Sequence, residues 1–68
     1  MHNTRKIKAR LVELGLNQKD VAAALGIAPA TASQKINGLR PLYLDEAEKL
    51  FTLLQLTDSQ FGLYFFGS

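Results

Sequence analysis

Apolar positions recur along this 68-residue chain with the period of an α-helix. In the first segment, Ile7, Leu11 and Leu14 stand at i, i+4 and i+7, so they share one stripe of a helical surface. Gly15 follows where a left-handed residue commonly ends a helix. The pattern therefore predicts a first amphipathic helix over residues 4–14.

A second helix is predicted from Gln18 to Leu25. Asn17 stands just before it and is a good N-cap, because its side-chain oxygen can accept a hydrogen bond from a first-turn amide. Within this helix, the spacing of Val21, Ala24 and Leu25 predicts the stripe that faces the core.

A tight turn and a third helix come next. Gly26 ends the second helix, and the apolar Ile27 is expected to return to the core. Pro29 suits a first helical turn, where its missing N–H would have no partner. The third helix is therefore predicted from 28 to about 37, with Gly38 ending it.

Two further helices are predicted in the second half, after a loop over 39–43. The fourth runs from about Leu44 to Leu54, and residues 57–60 match a capping box that starts a fifth at Asp58. The inward positions predicted for the fourth are Ala47, Leu50, Phe51 and Leu54. Because the pattern contains no strand signal, it predicts an all-α, compact five-helix bundle as a single domain over residues 1–68.

Residues 17–38 match the requirements of a helix-turn-helix unit, whose second helix enters the DNA major groove. The geometry requires a small residue where the helices cross, a glycine in the turn and an apolar residue after it. Ala22, Gly26 and Ile27 supply these three. An ordinary helical hairpin in a small bundle is the alternative interpretation.

Charge is unevenly distributed along the chain. Residues 1–40 carry seven basic and two acidic side chains, a net of +5, whereas residues 41–68 carry one basic and four acidic, a net of −3. One end can therefore face a polyanion while the other avoids it. The alternative is that this uneven charge arises by chance, as it often does in short soluble proteins.

Several classes of function are disfavoured by composition. There is no cysteine, and His2 is the only histidine, so disulfides, thiolate sites and histidine-rich metal sites are excluded. We expect no metal, no cofactor, no small-molecule substrate and no enzymatic activity. No stretch approaches the ~18 apolar residues of a membrane span, so we expect a cytoplasmic protein without a membrane partner.

The helix-turn-helix segment resembles a known family. Residues 14–18 (Leu-Gly-Leu-Asn-Gln), 21–22 (Val-Ala), 25–27 (Leu-Gly-Ile) and 36–38 (Ile-Asn-Gly) look like the phage repressor and Cro family, of XRE type. With the aromatic residues 64–66, the chain also looks like small prophage-encoded regulators of this family. The resemblance implies a compact bundle in which the third helix is the recognition helix.

On a helical wheel, Ala32 and Ile36 define the buried side of the third helix. The opposite strip carries the predicted base contacts, Ala30, Thr31 and Gln34. Gln34 can pair bidentately with an adenine edge, while the methyl groups of the other two can meet a thymine methyl.

Phosphate contacts are predicted around this strip. The resemblance places Asn17 and Gln18 against the phosphate backbone of the DNA. The other predicted phosphate contacts flank the strip or follow it: Ser33, Lys35, Asn37 and Arg40. The chain departs from its family at residues 28–30 (Ala-Pro-Ala), where Ser or Thr and polar residues are common. With few polar base readers, additional specificity would come from a symmetric dimer on two half-sites, which doubles the contacts, or from readout of DNA shape.

The C-terminal segment is rich in aromatic residues. A single helix in a small domain cannot bury all of them. We predict a dimer or partner interface formed by Phe61, Tyr64, Phe65 and Phe66. The alternative is that Phe61 and Phe65, spaced i, i+4, close the bundle instead.

Two functions stay open at this point. The first is a Cro-like repressor, a homodimer that binds double-stranded operator DNA through the third helix. The second is a protein-interaction module, an antirepressor or modulator that keeps the fold but binds a partner phage repressor.

Overall fold

The computed structural model describes residues 3–65, which contain five α-helices and no strand. The predicted all-α, five-helix fold is confirmed, with each boundary within about a residue of its expected place. The helices are α1 (Thr4–Glu13), α2 (Gln18–Leu25), α3 (Pro29–Ile36), α4 (Leu44–Leu53) and α5 (Asp58–Phe65).

Local signals begin and end α2. The side chain of Asn17 accepts a hydrogen bond from the Asp20 amide at 3.1 Å, and the Asp20 carboxylate accepts one from the Asn17 amide at 2.8 Å. This reciprocal capping box satisfies two amides that would otherwise have no helical partner. At the other end, Gly26 adopts the left-handed conformation with φ +70°, which costs glycine no steric penalty.

All five helices contribute to one core. Val21, Ala32 and Leu50 are fully buried, as is Ile7 of α1, and Phe65 of α5 closes the far side. One predicted core position is wrong: Ala24 is exposed, whereas Ala22 is buried. Ala22 and Ala24 lie on opposite flanks of the Val21–Leu25 stripe, and the rest of the bundle covers only the flank of Ala22.

The chain ends of the described region meet at α1 and α5. The Asn3 amide donates to the Tyr64 carbonyl oxygen at 2.7 Å. Arg10 of α1 extends this contact surface, because its Nε donates to the Leu54 carbonyl oxygen at 2.9 Å. Arg10 therefore satisfies the C-terminal end of α4 rather than facing solvent alone.

The aromatic residues of α5 correct part of the predicted interface. The Phe61 ring lies between those of Phe51 and Phe65, with centroid separations of 5.4 and 4.9 Å. Phe65 is 5% exposed, so it belongs to the core and is not available to a dimer partner. Tyr64 is half-buried, and Phe66 lies outside the described residues.

Among residues 3–65, no helix combines the length and the apolar character needed to cross a membrane.

Candidate nucleic-acid interface

The α2–α3 crossing has the geometry that the sequence predicted. Ala22 is only 2% exposed, and its carbonyl oxygen accepts the Ile27 amide at 3.0 Å, which closes the turn at Gly26. Ile27 is half-buried against the core. These contacts set the angle at which α3 leaves the turn, so its outer side projects from the bundle.

The outer side of α3 holds the predicted base contacts together. Ala32 and Ile36 are buried, Ala30 is exposed, and Thr31 and Gln34 are half-buried. These last three therefore form one accessible strip on a helix of eight residues. The strip is narrow, and Gln34 is the member that can make two hydrogen bonds to one base edge.

The C-terminal end of α3 is ordered by its own side chains. Asn37 donates from Nδ2 to the Ser33 carbonyl oxygen at 2.8 Å, and Nδ2 lies 3.4 Å from Ser33 Oγ. Both residues are half-buried. Both residues were predicted to contact phosphate. The Ser33 hydroxyl can donate a hydrogen bond to a phosphate oxygen, whereas the Asn37 amide nitrogen, the only donor of that side chain, is directed at Ser33.

Asn17 and Gln18 are both exposed at the start of α2. They line a shallow groove of about 660 Å³ together with Lys8 of α1, Lys19 of α2 and Pro29 of α3. Sequence reasoning missed the two lysines as site residues; Lys8 belongs to another helix, and only the folded chain places it on the same groove as Asn17. The groove brings two cations to the end of α2 whose amides favour an anion.

Lys35 is a correction to the predicted phosphate contacts. Its Nζ donates to Glu46 Oε1 at 2.8 Å and to the Pro41 carbonyl oxygen at 3.0 Å. The Lys35 side chain is 8% exposed and that of Glu46 is 11% exposed, so the ion pair is buried. The ammonium group is thus committed inside the protein and does not face a phosphate.

The position of Lys35 in the sequence is consistent with this burial. Position 35 lies i+3 from Ala32 and next to Ile36, which puts it at the edge of the buried stripe of α3. A long side chain at that edge can reach inward, and Lys35 also places its ammonium 4.6 Å from the centroid of the Tyr43 ring. What the pattern did not show was the carboxylate that receives it.

Arg40 differs from Lys35 in its exposure. It lies in the loop between α3 and α4, and its side chain is exposed. The loop begins at the C-terminal end of α3, so Arg40 supplies positive charge at the end of this helix opposite to Pro29, which lines the groove. Cations at both ends of an exposed strip are the arrangement expected for a helix that crosses a DNA groove between two phosphate strands.

Comparison with known proteins agrees with this geometry. A family model described as Helix-turn-helix, HTH_3, matches residues 7–61, which is 55 of the 68 residues. No curated protein and no solved structure matches the chain.

Proposed function

This chain belongs to the helix-turn-helix family of XRE type, a class of DNA-binding regulators, and we propose that it is a Cro-like transcriptional repressor. In this proposal it binds double-stranded operator DNA with α3 in the major groove and blocks access of polymerase. The observation that carries the proposal is the accessible strip of Ala30, which is exposed, and Thr31 and Gln34, which are half-buried, on a helix whose angle is set by the Ala22–Ile27 hydrogen bond.

Base recognition in this proposal depends mainly on Gln34. A bidentate contact between a glutamine and adenine discriminates against a wrong base by about 1–3 kcal/mol. Thr31 and Ala30 add methyl contacts to thymine. A single monomer therefore has few means of choosing its site, which favours binding as a symmetric dimer to two half-sites.

Phosphate contacts are proposed at both ends of the strip. Asn17 and Gln18 approach one strand, with Lys8 and Lys19 beside them in the same groove. At the other end, the proposed contacts are Ser33, Asn37 and Arg40. Because the ammonium of Lys35 is buried, the proposal replaces its charge with those of the two groove lysines.

The dimer is proposed to form through the outer side of α5. Leu63 is 46% exposed, less than Leu39 or Leu44, but Tyr64 beside it is half-buried, so the two side chains add apolar surface to the same helix. Contiguous exposed apolar surface marks interfaces. Leu63→Ser is expected to shift the protein toward monomer in analytical ultracentrifugation, and an unchanged mass would remove α5 from the interface.

Binding to the regulatory DNA beside its own gene, measured by gel shift across a salt series, tests the repressor proposal. Each neutralised phosphate contributes about −0.9 to the slope of log affinity against log salt. Arg40→Ala is expected to reduce that slope by about one unit and to weaken binding to all sequences alike. Lys49→Ala, which removes an exposed cation from α4, is the matched control and should leave the slope unchanged.

A second candidate function is a protein-interaction module that binds a partner repressor. It is favoured by the exposed apolar start of α3, where Ala28, Pro29 and Ala30 stand in place of polar base readers. Absence of DNA binding at low salt, together with a tight complex with a neighbouring repressor, would select this candidate over the first.

A further inference from the structure

We propose that Lys35 and Glu46 are positioning residues, which hold Arg40 at a set distance from the base-reading strip of α3. The inference rests on the proposed function, in which Arg40 binds a DNA phosphate. It concerns two side chains that do not themselves touch DNA. Their contacts connect the recognition helix, the loop that carries Arg40 and the start of α4.

The loop on either side of Arg40 is anchored to α3. The backbone amides of Leu39 and Arg40 both point to the Gln34 carbonyl oxygen, at 2.8 and 3.3 Å. Directly after Arg40, the Pro41 carbonyl oxygen accepts from Lys35 Nζ at 3.0 Å. Backbone hydrogen bonds therefore hold the chain both at and directly after Arg40, and their partners, Gln34 and Lys35, both belong to α3.

Glu46 of α4 anchors the loop and Lys35 from the other side. Its Oε1 accepts from Lys35 Nζ at 2.8 Å and also from the Tyr43 amide at 3.0 Å. One carboxylate thus holds the lysine in place and fixes the last residue of the loop. The Tyr43 ring, 4.6 Å from Nζ, covers the ammonium on a further side.

This arrangement explains why a charge is buried beside a DNA-binding helix. A buried ion pair seldom stabilises a fold more than apolar residues of the same volume would, so its retention suggests a need for defined geometry. Here the geometry links Gln34, which reads a base, to Arg40, which binds phosphate. A loop that moved relative to α3 would place the two contacts out of register on the DNA.

A double-mutant cycle distinguishes positioning from mere stability. The variants are Lys35→Met/Glu46→Leu, Arg40→Ala, and all three changes together, and affinity for operator DNA is measured by fluorescence anisotropy at 0.1 M salt. One phosphate contact is worth about eightfold at this salt concentration. We expect Lys35→Met/Glu46→Leu, the paired variant, to bind about two- to eightfold more weakly than the wild type, because Arg40 loses part or all of that contact.

In the Arg40→Ala background, the paired substitution is expected to cause no further loss. A role confined to folding would weaken both backgrounds equally, so additive losses would overturn the inference. Normal binding by the paired variant would overturn it as well. Ile7→Val, a core change in α1, is the control for lost stability and should leave the affinity of the folded protein unchanged.

Hydrogen exchange supplies a second readout that does not depend on DNA. The Tyr43 amide donates a hydrogen bond to Glu46 in the wild type. It should exchange at least tenfold faster in the paired variant, while the Val21 amide in α2 keeps its protection. Unchanged protection at Tyr43 would contradict the anchoring. If the wild type itself shows no salt-dependent binding, the repressor proposal fails, whereas the anchoring is still judged by this exchange experiment.

Discussion

Replacing Lys35 by methionine keeps the aliphatic stem of the side chain and removes its ammonium group. The ammonium of the wild type lies 2.8 Å from a Glu46 carboxylate whose side chain is 11% exposed. In the variant, this carboxylate keeps the Tyr43 amide as a partner but loses its counter-ion. A buried charge without a counter-ion is unfavourable, and removing one partner of such a pair costs about 3–5 kcal/mol.

That cost is large for a chain of this size. At 0.05–0.15 kcal/mol per residue, 68 residues give a total stability of about 3–10 kcal/mol. A loss of about 3 kcal/mol would lower the midpoint of thermal unfolding by roughly 20 °C, given an unfolding entropy of about 2.1 cal/mol/K per residue. We therefore expect Lys35→Met to be marginally folded at 25 °C.

Urea unfolding followed by far-ultraviolet circular dichroism measures this change directly. Lys35→Met/Glu46→Leu is the matched control, because it removes both charges and fills the space with apolar atoms. It should be clearly more stable than the single variant and lie about 1–2 kcal/mol below the wild type, because no unpaired charge is left but the Tyr43 amide and the Pro41 carbonyl oxygen lose their partners. The reasoning is refuted if the single variant loses less than 1 kcal/mol, or if the double variant is as unstable as the single one.

Other expected outcomes follow from individual residues. Gly26→Ala should cost about 1–2 kcal/mol because φ there is +70°, whereas Gly62→Ala in α5 should stabilise by about 0.5–1 kcal/mol. An added Cβ meets no described atom within 4 Å at either glycine, so thermal melts of the two variants isolate the backbone term. Gln55 has φ +55°, and Gln55→Gly should raise the unfolding midpoint by a few degrees, whereas Glu48→Gly inside α4 should lower it. Gln34→Ala should relax base preference at one position of each half-site, as measured by binding to single-substitution operators; an unchanged preference would remove Gln34 from base recognition.

The helices and the turn between α2 and α3 were determined locally, and the sequence was sufficient to predict them. Asn17 with Asp20 begins α2, and glycines at 15, 26 and 38 take the left-handed conformation that ends α1, α2 and α3. Each of these signals acts between residues within about one helical turn. The period of 3.6 then identified most of the core, because a stripe on each helix had to be buried.

Tertiary structure decided whether residues at the edge of those stripes are buried or exposed. Ala22 and Ala24 flank the same stripe, and packing of the other helices against α2 buries Ala22 and leaves Ala24 exposed. Phe65 was expected at an interface and belongs to the core, because Phe51 of α4 and Phe61 cover that side of α5. Periodicity gives the direction of a side chain but not the neighbour that it meets.

The sequence pattern determined the burial and the partners of the charged side chains even less. The sequence pattern predicted both Lys35 and Arg40 as exposed cations near the end of α3, yet Lys35 is buried against a carboxylate and Arg40 faces solvent. Glu46 is 11 residues from Lys35, and the carbonyl oxygen that holds Arg10 is 44 residues away from it. The sequence alone thus determined that a helix-turn-helix forms and that Ala32 and Ile36 mark the buried side of α3. Which cations surround that strip was decided by packing, because a charge takes its role from partners that only the folded chain brings within hydrogen-bonding distance.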